Sequence, residues 1–212
     1  MWQSIRQVLL ETIFPPQCCQ CKTLGRLLCN DCYQRLEFIP NAFQPCAEPP
    51  LDSISVACTY AGGAKALLKA LKLKRVIGVA ETLAWLLYET CAIPEADYIV
   101  AAPANPKNFV QRGFDPALEI SRELSAHSGI PLAPLLYRIN SAQEQKHLNR
   151  ADRIKNLTNS LKCIRGPTKN SKKSVLLVDD VVTSGATMME CARVLKNAGF
   201  KRVFGLAVAH GY

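Results

Sequence analysis

Ser174-Val175-Leu176-Leu177-Val178-Asp179-Asp180-Val181-Val182-Thr183-Ser184-Gly185-Ala186-Thr187 decides the reading of this chain. Val175 to Val178 is a short, unbroken apolar run, as expected of a strand buried on both faces of a parallel sheet. From Ala186 onward apolar residues return at helical spacing (Met189, Ala192, Val194, Leu195, Ala198), and Gly199 marks the stop. The intervening loop therefore joins the carboxyl end of a strand to the amino end of a helix, where unpaired N–H groups and the helix dipole attract an anion. Thr183, Ser184 and Thr187 add hydroxyl donors, and Gly185 lets the backbone approach closely. Asp179 and Asp180 would repel a phosphate if both faced it. They suit ribose hydroxyls, or a metal ion beside the phosphate. An ordinary polar turn is the plainer alternative, but paired acids after an apolar strand cost stability unless something uses them.

This stretch resembles the phosphoribosyl-pyrophosphate (PRPP) motif of type I phosphoribosyltransferases. The resemblance implies Asp179 and Asp180 on the ribose 2′ and 3′ hydroxyls. It further implies that Val181, Thr183, Ser184, Gly185, Ala186 and Thr187 wrap the 5′-phosphate.

Length and charge bound what else the chain can be. Its 212 residues allow one domain of ordinary size plus a small appendage, and 49% hydrophobic residues support a substantial core. A net charge of +9 favours anionic partners, phosphorylated metabolites or nucleic acid. No apolar run approaches the ~20 residues needed to span a bilayer. Met1 to Phe14 reads as a short amphipathic helix (Ile5, Val8, Leu9, Ile13) broken by Arg6 and Glu11, unlike a signal peptide, so a cytoplasmic location is expected.

Ten cysteines are present, and four of them form a pattern. Cys18, Cys21, Cys29 and Cys32 are two Cys-x-x-Cys pairs separated by seven residues, a compact four-thiolate arrangement suited to one tetrahedral structural zinc. Cys19 competes with Cys18 for the first position, Cys46 is an outside candidate, and a set of reduced thiols is the plainer alternative. Residues 14–50 hold few apolar side chains, so metal binding is expected to supply most of their folding energy. Cys58, Cys91, Cys163 and Cys191 sit in apolar or helical settings and read as core thiols.

Pro40, Pro45, Pro49 and Pro50 suggest a linker, dividing a zinc module (1–50) from a larger domain (51–212). Beyond it the pattern alternates. Strands are expected at 55–60, 98–102, 131–137 and 201–209, and helices at 64–74, 76–90 and 116–128. This predicts an α/β fold with a parallel, twisted sheet flanked by helices, whose ligand lies at the carboxyl ends of the strands. Lys65, Lys69 and Lys72 form a basic stripe, read as a solvated face before a phosphate track. Pro103 and Ala104, after the strand at 98–102, form a turn whose amides could meet a pyrophosphate. Arg112, beside Gly113, is a candidate phosphate ligand. Residues 140–173 carry a strong basic excess, including Arg150 and Arg153. They read as a flap over the site, a nucleic-acid contact or a disordered segment.

The order of these features is similar to the ComF/GntX family: four N-terminal cysteines, Arg112-Gly113-Phe114, a basic segment with Gln145, Leu148, Arg153 and Asn156, then Val178 to Thr187. The resemblance covers nearly the whole chain. It implies a type I phosphoribosyltransferase fold binding PRPP with Mg2+, in a bacterial protein that helps internalise single-stranded DNA during natural transformation. Two departures stand out. The family's Arg-Gly-Phe-Asn-Gln ends here in Asp115 and Pro116. Cys46 of a third Cys-x-x-Cys pair is retained, with Phe43 in its partner's place. Three readings stay open: a competence factor engaging PRPP and single-stranded DNA, a nucleobase phosphoribosyltransferase of nucleotide salvage, and an adaptor whose zinc module docks a DNA-uptake helicase or channel protein. Under the first two, Asp179, Asp180 and Arg112 carry the chemistry, and Gln145, Arg150 and Arg153 meet DNA or pyrophosphate. The sequence names no acceptor base.

Overall fold

The computed structural model describes residues 15–40, 44–45, 50–74, 76, 78–139, 160–168 and 172–211. The expected helix at Met1–Phe14, Phe43, Cys46 and the segment with Gln145, Leu148, Arg150, Arg153 and Asn156 lie outside the described residues.

Helix α1 (Asn30–Gln34) belongs to the cysteine-rich segment and is followed by a short strand β1 (Gln44–Pro45). The larger domain runs β2 (Ser53–Thr59), α2 (Gly62–Lys69) with a π-turn (Ala70–Lys74), α3 (Val79–Thr90), β3 (Tyr98–Ala101), α4 (Pro106–Arg112) and α5 (Pro116–Ser128). It ends with β4 (Leu136–Arg138), β5 (Leu161–Cys163), β6 (Ser174–Val182), α6 (Ala186–Asn197) and β7 (Arg202–His210). The main sheet has the order β1-β2-β7-β6-β3. Its four long strands are parallel, and only β1 runs antiparallel, on the edge. The expected proline-rich linker thus adds an edge strand, a position where a proline's missing N–H costs no ladder bond. The strand expected at 131–137 is also resolved differently. Leu132 makes one parallel bridge to Ile99, and β4 pairs antiparallel with β5 in a separate ribbon.

Strand alternation sorts the core into two layers. Leu176 and Val178 of β6, with Phe204, Leu206 and Val208 of β7, pack with Leu67, Leu68, Leu83, Leu87, Ile120 and Leu124 of α2, α3 and α5. Val175 and Leu177, with Val203 and Ala207, pack with Met188, Cys191 and Leu195 of α6 and with Leu136 and Leu161 of the ribbon. The loop leaving β3 therefore leads to α5 on one face, and the loop leaving its neighbour β6 leads to α6 on the other. Such a divergence opens a crevice at the carboxyl ends of adjacent parallel strands, where ligands of open α/β sheets bind.

The cysteine-rich segment joins the first layer. Cys18, Leu28, Cys32 and Leu36 are buried in the same apolar cluster as α2 and α3. The approach is tight: a Cβ on Gly63, in the first turn of α2, would lie 3.0 Å from Leu28 Cδ1 and 3.2 Å from Leu36 Cδ2. Among the described residues no helix is long and apolar enough to cross a membrane.

Candidate active site and cysteine cluster

Two adjacent acids stand at the end of β6. Asp179 follows the parity of Val175 and Leu177, toward α6, and Asp180 follows Leu176 and Val178, toward α2. Their side chains nonetheless converge: the Asp179 and Asp180 carboxyl groups lie within hydrogen-bonding reach of each other. Asp179 Oδ1 accepts the backbone N–H of Asp180 at 2.8 Å. Burial, reinforced by the neighbouring Asp180 charge, pushes the Asp179 carboxyl well above the ordinary range. Cys191 in the first half of α6 feels that neighbour: burial raises its thiol and Asp179 raises it further.

Asp180 is paired. Lys72 Nζ stands 2.5 Å from Asp180 Oδ2, with side-chain exposures of 20% and 14%. The basic stripe expected on a solvated face thus divides: Lys65 and Lys69 are exposed, whereas Lys72 turns inward to the acid pair. The π-turn Ala70–Lys74 accounts for the change, because its wider winding breaks the helical spacing that placed the three lysines in line. Such turns recur at functional sites.

Beyond Val182, Thr183 and Ser184 are exposed and Gly185 caps α6. Gly185 adopts φ +73°, a left-handed conformation that glycine takes without strain. No side chain caps α6, so the first-turn amides from Ala186 and Thr187 are left for an anion, as at other helix amino termini.

The β3 exit faces the same crevice. Asn105 caps α4 by accepting from Lys107 N–H, and Asp115 caps α5 by accepting from the N–H groups of Ala117 and Leu118 at 3.0 and 3.4 Å. Asp115 Oδ2 also accepts from Ala104 N–H at 2.7 Å. The family departure at position 115 thus has a structural use: an aspartate, the same length as the family's asparagine, accepts at both oxygens and so ties the start of α5 to the β3 turn, with Pro116 at the first helical position. Burial outweighs these N–H donors and lifts the Asp115 carboxyl above its usual value, and Asp180 adds to the lift. Ala104 N–H is consequently engaged by Asp115, and Pro103 has no N–H. What the turn presents outward is Pro103 O, which Arg138 Nε of the ribbon meets at 3.3 Å. Arg112 lies half-buried at the end of α4, a helix with no buried residue, next to Gly113 and the core residue Phe114.

Arg138 is a functional candidate that sequence reasoning missed, and Lys72, placed there in a stripe read as a solvated face before a phosphate track, pairs with Asp180. A lysine in a regular stripe and an arginine at a strand end carry no local signal of a partner more than thirty residues away. Asp115-Pro116 did carry one, the cap-and-proline signature of a helix start.

The second cluster is local. The sulfurs of Cys18, Cys21, Cys29 and Cys32 lie within 4.8 Å of one another, and Cys21 and Cys29 Sγ are 3.5 Å apart. Bonds of about 2.3 Å to a tetrahedral zinc would set sulfurs about 3.8 Å apart, so the quartet fits one ion. Cys18 is held by turns on both sides: its N–H donates to Thr23 O, and its carbonyl accepts from Lys22 N–H in a left-handed turn. Burial works against ionising Cys18, but N–H groups of Cys21, Cys29 and Gln20 aimed at its sulfur prevail and lower it. Hydrogen bonds from the Thr23 hydroxyl and N–H, aided by the neighbouring thiols, bring Cys21 to about 6. Such N–H donors to sulfur are the second shell a metal thiolate requires. Cys19 stands outside the quartet; its N–H bonds Leu27 O, and burial raises its thiol. Among the described residues this set could form a zinc-binding module, and Cys18 rather than Cys19 is its member.

With this geometry the chain belongs to the phosphoribosyl transferase domain family, whose profile matches residues 69–211. Within it the chain is of the ComF type. It is 28% identical over 205 residues to Competence protein F of Haemophilus influenzae, covering 90% of this chain and 89% of that one. It is 26% identical over 192 residues to DNA utilization protein YhgH of Escherichia coli K12, covering 87% and 78%. Among solved structures, the glutamine PRPP amidotransferase from B. subtilis aligns at 21% identity with a TM-score of 0.43, over 60% of this chain and 25% of that one.

Proposed function

We propose that this protein binds PRPP, with Mg2+, in the crevice between β3 and β6, and takes part in the uptake and handling of single-stranded DNA during natural transformation. The observation that carries the proposal is the end of β6: two adjacent carboxyl groups within reach of each other and balanced by Lys72, followed by a glycine-capped helix with no side-chain cap. Amides at the start of α6, with Thr183, Ser184 and Thr187, bind the 5′-phosphate. Asp180 and Asp179 accept from the ribose hydroxyls. Mg2+ supplies charge neutralisation for the pyrophosphate when bound. Arg112 and the basic segment with Gln145, Arg150 and Arg153 add positive charge for the pyrophosphate or for DNA phosphates. Cys18, Cys21, Cys29 and Cys32 hold one structural zinc that fastens the amino-terminal segment to α2 and α3.

The DNA role draws its support from the names of the relatives, Competence protein F and DNA utilization protein YhgH, and from the net charge of +9. It places the protein in the cytoplasm, beside the helicase or channel that delivers the strand. Calorimetric titration with PRPP and Mg2+, followed by an oligonucleotide titration at rising salt, tests both halves. Saturable PRPP binding and oligonucleotide affinity that falls steeply with salt are expected. Turnover of PRPP with a nucleobase, without oligonucleotide binding, would instead make this a salvage enzyme.

A further inference from the structure

Lys72 is the one basic side chain of its stripe that leaves solvent, and it ends on Asp180 at the end of β6. Resting on the PRPP reading of that crevice, we infer that Lys72 is a positioning residue that makes the site selective for a ribose over a 2-deoxyribose phosphate. Three observations carry this. First, the contact is short, 2.5 Å from Nζ to Oδ2, and both partners are mostly shielded, so water screens it less than a surface pair. Second, a carboxylate has about four lone-pair sites. Lys72 takes one on Oδ2 and the neighbouring Asp179 carboxyl engages the group as well, which leaves lone pairs for a sugar hydroxyl. The lysine can therefore fix the orientation of Asp180 without occupying the place of the diol. Third, without Lys72 the strand end would carry two adjacent acids beside the phosphate cradle with no cation from this element. The carboxylate would be left with only the neighbouring acid to orient it, and its charge would oppose the arriving phosphate.

The π-turn suits this role. It is anchored by buried Ala70 and Leu71, while Leu73 and Lys74 remain exposed, so only Lys72 is directed inward from its carboxyl half. Lys72 touches Asp180 and not the reacting atoms, so its signature is selectivity rather than loss of all binding.

The test measures ribose 5-phosphate and 2-deoxyribose 5-phosphate binding by calorimetry to the zinc-loaded full chain, as wild type, Lys72→Met, Lys72→Arg and Lys69→Met. A hydrogen bond to a charged acceptor is worth about tenfold to a hundredfold in affinity, so wild type should prefer the ribose by that factor. Lys72→Met should bring the preference to near unity, Lys72→Arg should retain most of it, and exposed Lys69→Met should not change it. In the Asp180→Asn background, Lys72→Met should have no further effect, because the two residues act as one unit. Circular dichroism and zinc content verify that each variant is folded, and Lys72→Gln replaces the methionine variant if that one is not. A wild-type preference that survives in Lys72→Met overturns the inference and leaves the PRPP reading standing. If wild type binds neither sugar phosphate nor PRPP, that reading falls and the inference with it.

Discussion

The cysteine quartet and the acid pair both gather groups that repel one another when ionised, and they solve the problem by different means. The quartet is drawn from 15 consecutive residues. Its turns bring four sulfurs within 4.8 Å, and only a cation at their centre lets all four ionise. The acid pair sits on adjacent residues of one strand with its carboxyl groups within reach of each other, and a lysine more than a hundred residues earlier in the chain balances it. The first solution is local and depends on metal. The second is distributed, and it depends on the sheet, α2 and the π-turn all being in place. Stability should therefore track the first site, and ligand selectivity the second.

The largest expected effect divides them most sharply. Chelating the metal, or Cys29→Ser, should strip the amino-terminal segment of metal-derived folding energy, on the order of 10–16 kcal/mol in small zinc modules. Because Leu28 and Leu36 share a core with α2 and α3, the melting temperature of the whole chain should fall. Elemental analysis should find about one zinc per chain; a count near zero would remove the quartet from the comparison. Gly185→Ala comes next. Nothing lies within 4 Å of the added Cβ, so the cost is conformational, about 1–2 kcal/mol for a left-handed residue. Denaturant unfolding should show it, together with weaker phosphate binding and unchanged zinc. Asp115→Ala should cost about 1 kcal/mol through the lost helix cap and free the Ala104 N–H. The smallest effect lies away from both sites. Lys173, then Ser174 N–H, hold the Asp97 carboxyl below its usual range. That stability is present at neutral pH and is lost as acid protonates the folded carboxylate. Wild type should therefore be slightly more stable than Asp97→Asn at pH 7, the exposed pair being screened by water, and the difference should start to shrink below about pH 4 and vanish only as pH falls through the lowered folded value.

What could be read in advance follows the same division. The quartet was legible because its ligands are close in sequence, and turn spacing nearly determines their geometry. The strand, loop and helix around Asp179 were legible because apolar runs and glycine have strong local meaning. Lys72 was not, since its inward turn requires a π-turn that residues Ala70–Lys74 do not announce. Arg138 and the Ala104–Asp115 bond were hidden for a related reason: they join elements that meet only after the sheet has ordered. The edge strand β1 was masked by its own proline, a residue that reads as a linker unless the sheet edge is already known.

The central claim is that the end of β6 holds a phosphorylated ribose. It is tested most directly by titrating PRPP with Mg2+ into wild type and into Asp179→Ala/Asp180→Ala, with zinc content and melting temperature recorded for both. Saturable binding by wild type, weakened at least ~100-fold in the variant as expected for two lost charged acceptors, with zinc retained, is the predicted result. Equal affinity in the two proteins would contradict the account.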